Sequence, residues 1–210
     1  WLIMISINRL GNLGRLANQM FQYASLKGIA TNRGYSFSIP PKDAFGVQDE
    51  LVSQSDVTIY DVFENVENNE IGFQNNQTLW ERMHQFDEEL FVNCPDNVDL
   101  VGYFQTEKYF KHIEDKIRED FTFSKEITEM CKELYNEVVD GESISLHIRR
   151  GDYTVNPNHP TQTIEYYDKA LSNFDSKIPV FVFSDDPSWC HEQELFSDDR
   201  FLISDGNATE

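Results

Sequence analysis

Basic residues, cysteines and long apolar runs are all scarce in this sequence. It has 17 Lys and Arg against 37 Asp and Glu, a formal net charge of -20 at pH 7. A surface this acidic repels nucleic acid and anionic membranes, so neither is expected as a partner. No apolar stretch approaches the roughly 20 residues that span a bilayer, so no stable membrane insertion is expected.

The few cysteines argue against zinc and against a disulfide scaffold. Cys94, Cys131 and Cys190 are far apart and show no metal-ligand spacing, so no metal site is predicted. An odd number of scattered cysteines fits a reducing compartment. The apolar start at residues 1–7 lacks the basic leader and cleavage site of a secretory signal. A cytoplasmic protein is therefore expected.

The first part of the chain alternates strand and helix patterns. Isoleucine-rich residues 2–7 predict a strand, which a glycine-containing loop connects to a helix ending near residue 30. Gly34 is the predicted left-handed cap of this helix, and residues 35–39 alternate as a second strand. This order predicts a βαβ unit.

The rest of the chain predicts a second α/β half. Residues 42–98 have weak periodicity, so we expect short helices and loops there. Further elements are expected as strands at 98–104, 143–148, 180–183 and 201–203, and helices at 107–120, 124–139, 163–173 and from 187. We therefore predict two Rossmann-like halves, an N-terminal half over 1–140 and an incomplete C-terminal half over 141–210.

Two adjacent arginines follow the first strand of the second half, in the segment His147-Ile-Arg-Arg-Gly-Asp-Tyr153. Ligands of α/β sheets lie outside the carboxyl ends of strands, and guanidinium forks suit phosphate oxygens. Successive strand residues point to opposite faces. One of Arg149 and Arg150 is thus expected to meet a ligand and the other to pair with an acid such as Asp152. A purely structural ion pair explains the same residues equally well.

A glycine loop before the first helix is a weaker signal. Residues 11–15 lead to Asn18 and Gln19 at a helix N-terminus, which suits anions. The loop matches neither the dinucleotide fingerprint nor the P-loop. A plain tight turn also explains it.

Acidic residues follow the strand at 180–183. Ser184, Asp185 and Asp186 could hydrogen-bond a base or ribose hydroxyls, or bind a metal. The alternative is a helix cap before Pro187, which we favour for Ser184 or Asp186.

Three blocks in order resemble the bacterial-type α-1,2-fucosyltransferases of glycosyltransferase family 11. Residues 14–24, GRLANQMFQYA, are similar to the family's G-x-L-G-N-Q-M-F-Q-Y-A, and residues 147–153 resemble its H-x-R-R-G-D-Y. Residues 181–190 resemble a third block. Ala17 replaces a family glycine, and its methyl group would interfere if the backbone needed a positive φ or a close approach to the ligand.

The resemblance implies a GT-B-like fold and inverting transfer of fucose from GDP-fucose to a glycan hydroxyl, with α-1,2 linkage to galactose. It implies no cofactor and no required metal, and it places the acceptor on the N-terminal half and the donor on the C-terminal half. The residues carried over are Arg150 and Asp152 as catalytic residues; His147, Arg149 and Arg150 in the donor pocket, with Arg150 on the phosphates; Asn18 and Gln19 near the sugar-phosphate; and Asp185 near the guanosine.

Other hypotheses remain open at this point. The chain stops before a C-terminal block of the family, so one alternative is a truncated, non-catalytic GDP-sugar- or glycan-binding protein. An exposed sheet edge would leave room for a homo-oligomer. Another alternative keeps the enzyme class and changes the linkage, as in α-1,6- and protein O-fucosyltransferases.

Overall fold

A computed structural model describes residues 3–44, 57–67, 77–138 and 141–204. The chain divides into two compact units, Trp1–Glu129 and Met130–Glu210. This division falls inside helix α5 (Lys125–Val138), and the boundary expected after residue 140 lies just past that helix. The assignment of the halves to acceptor and donor stays a prediction.

The first unit contains a parallel four-stranded sheet. Its elements are β1 (Met4–Ser6), α1 (Leu16–Arg33), β2 (Ser36–Ser38), α2 (Ile59–Val62), β3 (Gln77–Trp80), α3 (Glu88–Asn93), β4 (Val98–Val101) and α4 (Glu114–Asp120). The strand order is β2-β1-β4-β3, with every pair parallel. This confirms the βαβ start.

One prediction for the first unit was wrong. Residues 42–98 were expected to hold only short helices and loops, yet β3 forms the edge strand beside β4. Gln77, Thr78 and Trp80 are exposed along this strand. An exposed edge strand lacks the apolar alternation that marks a buried face, which explains why the pattern missed it.

Helix α1 supplies much of the core of this unit. Tyr23, Leu26 and Ile29 are fully buried in the main hydrophobic cluster, each contributing about 1.5–3 kcal/mol of burial free energy. The helix ends at Gly34, which has φ 69° and donates its N–H to the carbonyl of Ala30. The predicted left-handed stop is confirmed.

The helix predicted over 107–120 is only partly helical. Two short 3₁₀ turns precede α4, and the last residue of each, Tyr109 and Ile113, is buried in the core. The Thr106 hydroxyl accepts the backbone N–H of Lys108 and so caps the first of these turns.

The second unit contains a parallel three-stranded sheet. Its strands are β5 (Ile144–Ile148), β6 (Val180–Ser184) and β7 (Phe201–Ile203), in that spatial order, and its helices after β5 are α6 (Ile164–Leu171) and α7 (Pro187–His191). Tyr167 and Leu171 pack with Ile148, Val180 and Val182 on one sheet face. Across the described ranges, no helix combines the length and apolar character needed to cross a membrane.

Candidate active site

The arginine loop lies at the carboxyl edge of the second sheet. Parallel pairing places Ile148, the last residue of β5, beside Ser184, the last residue of β6. The loop that begins with Arg149 therefore emerges next to Asp185 and Asp186. The strand register thus brings the two motifs to one edge of the sheet.

Asp185 fixes the backbone of this loop. One oxygen of its carboxylate accepts the backbone N–H of Arg150 at 2.7 Å, and the other lies 2.9 Å from Nη1 of Arg149. A Cβ at position 151 would stand 2.5 Å from the Asp185 oxygen, so Gly151 allows the close approach. Asp185 thus anchors the loop, and its expected contact with guanosine stays a prediction.

Arg149 is neutralised by two acids. Its Nη2 lies 2.6 Å from Oδ1 of Asp152, and its Nη1 pairs with Asp185. The guanidinium also lies 5.5 Å from the ring centroid of Tyr153. The predicted pairing of one arginine with Asp152 is confirmed, and Arg149 is the arginine concerned.

The guanidinium group of Arg150 is in contact along one edge and on one face. Its Nε donates to Oδ2 of Asp186 at 3.0 Å, and its guanidinium carbon lies 4.0 Å from the ring centroid of Trp189. The second Asp186 oxygen accepts the backbone N–H of Trp189, which confirms the predicted cap of α7. No described residue pairs with the two terminal nitrogens of Arg150. This is the geometry of a fork prepared for an anion.

His147 and Asp152 lie at the same edge but are more open to solvent. His147 is exposed and sits beside Phe183 in the strand register. The Asp152 side chain is 62% exposed, and its described partner is Arg149. Their donor-binding and catalytic roles stay predictions.

A buried thiol lies behind this edge. Cys190 is fully buried and hydrogen-bonded to Ser184, and burial raises the pKa of the thiol. A thiol held in its neutral form is a poor nucleophile. Cys190 is therefore not expected to act as a nucleophile.

Gln19 in the first unit has a structural role. It is fully buried, its Nε2 donates to the carbonyl of Val57 at 3.1 Å, and its Oε1 accepts the N–H of Ile59 at 3.0 Å. These bonds fix the start of α2 and leave no exposed atom for a ligand. Gln19 thus supports the backbone in this structure, and its donor-binding role stays a prediction.

Asn18 is more accessible than Gln19. Its Oδ1 accepts a hydrogen bond from Nε2 of Gln105. Gly14, with φ 83°, comes so close that a Cβ there would overlap the Asn18 side chain. Ala17 lies in the first turn of α1 with no positive φ, so the backbone does not require the family's glycine at that position. The donor role of Asn18 stays a prediction.

The described residues contain no group of three or more His, Cys, Asp or Glu arranged to hold a metal ion. Of the contacts at the arginine loop, sequence reasoning missed the stacking of Arg150 on Trp189. The available signal was the tryptophan three positions after the Asp186 cap. One turn of helix returns that residue to the capped end.

Comparison with known proteins identifies the family. The sequence profile of Glycosyl transferase family 11 matches residues 4–209. The chain belongs to this family. The resemblance seen in residues 14–24 and 147–153 is confirmed.

Curated relatives of this family member include bacterial and mammalian enzymes. An alpha-1,2-colitosyltransferase of Escherichia coli is 27% identical over 94% of this chain and 76% of its own length. The bovine galactoside alpha-(1,2)-fucosyltransferase 2 is 28% identical over 86% of this chain and 53% of its own. The chain therefore spans about half the length of that mammalian relative.

Solved structures confirm the fold class. The fucosyltransferase NodZ from Bradyrhizobium aligns with a TM-score of 0.59 and 16% identity, over 100% of this chain and 82% of NodZ. A NodZ alpha-1,6-fucosyltransferase crystal soaked with GDP-fucose aligns with a TM-score of 0.58 and 14% identity. The predicted GT-B-like class, with parallel α/β sheets in two halves, is shown by this likeness.

Proposed function

We propose that this family member transfers L-fucose from GDP-fucose to a galactose hydroxyl of a glycan, in α-1,2 linkage, with inversion and without a metal ion. The observation that carries the proposal is the fixed orientation of Arg150 between Asp186 and Trp189. Its two terminal nitrogens have no partner in the described part of the chain. The donor named for NodZ and the acceptor class named for the bovine relative support this choice.

The reaction requires a positive charge beside the leaving group, GDP. The bond between the fucosyl anomeric carbon and the β-phosphate oxygen breaks, and its electron pair leaves with GDP. The acceptor hydroxyl forms the new bond from the opposite face and loses its proton. A guanidinium that is already oriented stabilises the negative charge that develops on the pyrophosphate, and it does so without reorganising. A metal ion has this role in other transferases.

A calorimetric titration tests the proposal. We expect GDP to bind in the presence of EDTA, and to bind about tenfold or more tightly than GMP, since charge-assisted hydrogen bonds to the additional phosphate are gained. Fucose transfer to lactose is expected in the same buffer. Absence of GDP binding at millimolar ligand, or binding only with added Mn²⁺, would contradict it.

A second donor sugar follows from the Escherichia coli relative, which is named as a colitosyltransferase. Colitose is fucose without its 3-hydroxyl, so the same site could accept either donor. If the pocket hydrogen-bonds that hydroxyl, GDP-fucose is expected to react with a kcat/KM about tenfold or more above that of GDP-colitose. A reversed ratio would assign the colitosyl reaction instead.

A further inference from the structure

Two exposed aromatic side chains mark the carboxyl edge of the first unit's sheet. Trp80, the last residue of β3, is 60% exposed, and Tyr103, two residues beyond β4, is 38% exposed. The two strands are adjacent and parallel. This edge is where ligands of parallel α/β sheets bind, and the arginine loop belongs to the other unit. It is a candidate binding surface of the first unit.

The loop after β4 is clamped in place. The Glu81 carboxylate accepts two consecutive backbone N–H groups, from Tyr103 at 2.7 Å and from Phe104 at 3.1 Å. Gly102 is needed beside it, because a Cβ there would overlap the Glu81 side chain. The two hydrogen bonds to the carboxylate thus fix the backbone conformation of the loop.

The clamp holds a strained residue. Phe104 has φ 49°, a left-handed conformation that a side chain disfavours. Its ring is fully buried, and its carbonyl accepts the hydroxyl of Ser25 at 3.1 Å. Turning Phe104 inward leaves its neighbours Tyr103 and Gln105 exposed. Strain maintained by several contacts is characteristic of positions that serve binding.

Polar groups accompany the aromatic rings. Nε2 of Gln105 donates a hydrogen bond to Oδ1 of Asn18. In the described ranges, the side-chain oxygen of Gln105 and the side-chain amino group of Asn18 have no further partner. The Arg9 guanidinium lies 5.6 Å from the ring centroid of Trp80. Donors and an acceptor thus accompany two aromatic surfaces at one edge of the sheet.

We propose that this edge platform, formed by Trp80, Tyr103, Gln105 and Arg9, binds the pyranose ring of the galactoside acceptor. The axial 4-hydroxyl of galactose leaves the hydrogens of C3, C4 and C5 on one face, an apolar patch that packs on an aromatic ring. Amide and guanidinium groups match the hydroxyls around the ring. Stacking through that patch leaves the 2-hydroxyl outside the covered area. This assignment rests on the proposed function.

The test titrates lactose into the whole chain with saturating GDP, followed by saturation-transfer NMR. We expect Trp80→Ala to weaken lactose binding about tenfold and Trp80→Phe to retain most of it, because phenylalanine keeps an aromatic face. Maltose, which ends in glucose, is expected to bind weakly. Phe174→Ala is the matched control, since Phe174 is 52% exposed in the other unit.

The outcomes separate the two proposals. Loss of lactose binding in Trp80→Ala, with GDP binding and thermal unfolding unchanged, supports the edge platform. Equal lactose binding by Trp80→Ala and the parent chain overturns it, as does equal weakening by Phe174→Ala. Failure of the parent chain to bind GDP counts against the proposed function alone, because lactose binding is measured by its own signals.

Discussion

Replacing Arg150 with alanine is expected to lower kcat/KM for fucose transfer by about 10³-fold, as removal of a fixed charge from a developing anion does elsewhere. The guanidinium is already oriented by Asp186 and Trp189. No other described residue presents unpaired guanidinium nitrogens at this edge, since Arg149 is held by two acids. GDP binding should weaken in parallel, because the product carries the same pyrophosphate.

Arg150→Lys distinguishes orientation from charge. Lysine keeps the positive charge but loses the planar fork, the bond from Nε to Asp186 and the stacking on Trp189. We expect it to recover less than about tenfold of the lost activity. Lys177→Ala, which removes an exposed cation from the same unit, is the control. Initial rates with saturating lactose, and calorimetry with GDP, provide the measurements. Full activity of Arg150→Ala would remove the basis of the proposed function.

Local patterns were sufficient for much of the fold. The position of the arginine loop follows from an apolar run that ends at Ile148, and the Asp186 cap follows from the proline after it. Gly34 ends α1 as expected, because the end of the helix depends only on the left-handed backbone conformation of that one residue. Each of these features depends on residues within one or two turns of the chain.

The contacts that decide the chemistry are not local. Whether Arg149 or Arg150 is left with unpaired nitrogens depends on Asp185 and Asp186, which the strand register brings from 35 or more residues away. Gln19 was expected near the sugar-phosphate because its block resembles the family's. Its partners, at 57 and 59, follow a stretch without periodicity. Sequence spacing could not distinguish a buried amide from an exposed one.

The largest stability effect is expected at a buried ion pair of the first unit. Lys27 on α1 lies 2.6 Å from Asp120 at the end of α4, and each side chain is 7% exposed. The Tyr23 hydroxyl donates to the same Asp120 oxygen at 3.0 Å, and burial raises the pKa of that phenol. The more exposed Glu67 completes the network at 3.0 Å from Lys27.

Asp120→Ala is expected to lower the free energy of unfolding by about 3–5 kcal/mol, because the buried ammonium keeps only the more exposed Glu67 and the buried hydroxyl loses its acceptor. Urea unfolding followed by circular dichroism measures the change. Glu114→Gln on the same helix is the control, since its ion pairs with Lys111 and Arg118 lie at the surface. Only a small effect is expected there.

The double variant Lys27→Met with Asp120→Leu separates the two explanations of such a loss. If the loss arises from a buried charge that has lost its buried partner, replacing both Lys27 and Asp120 with apolar side chains should restore most of the stability. If the ion pair itself supplies the stability, the double variant should be at least as unstable as Asp120→Ala. We expect restoration. Lys27 already packs near the rings of Tyr23 and Phe37, so an apolar chain of similar length has surfaces to contact.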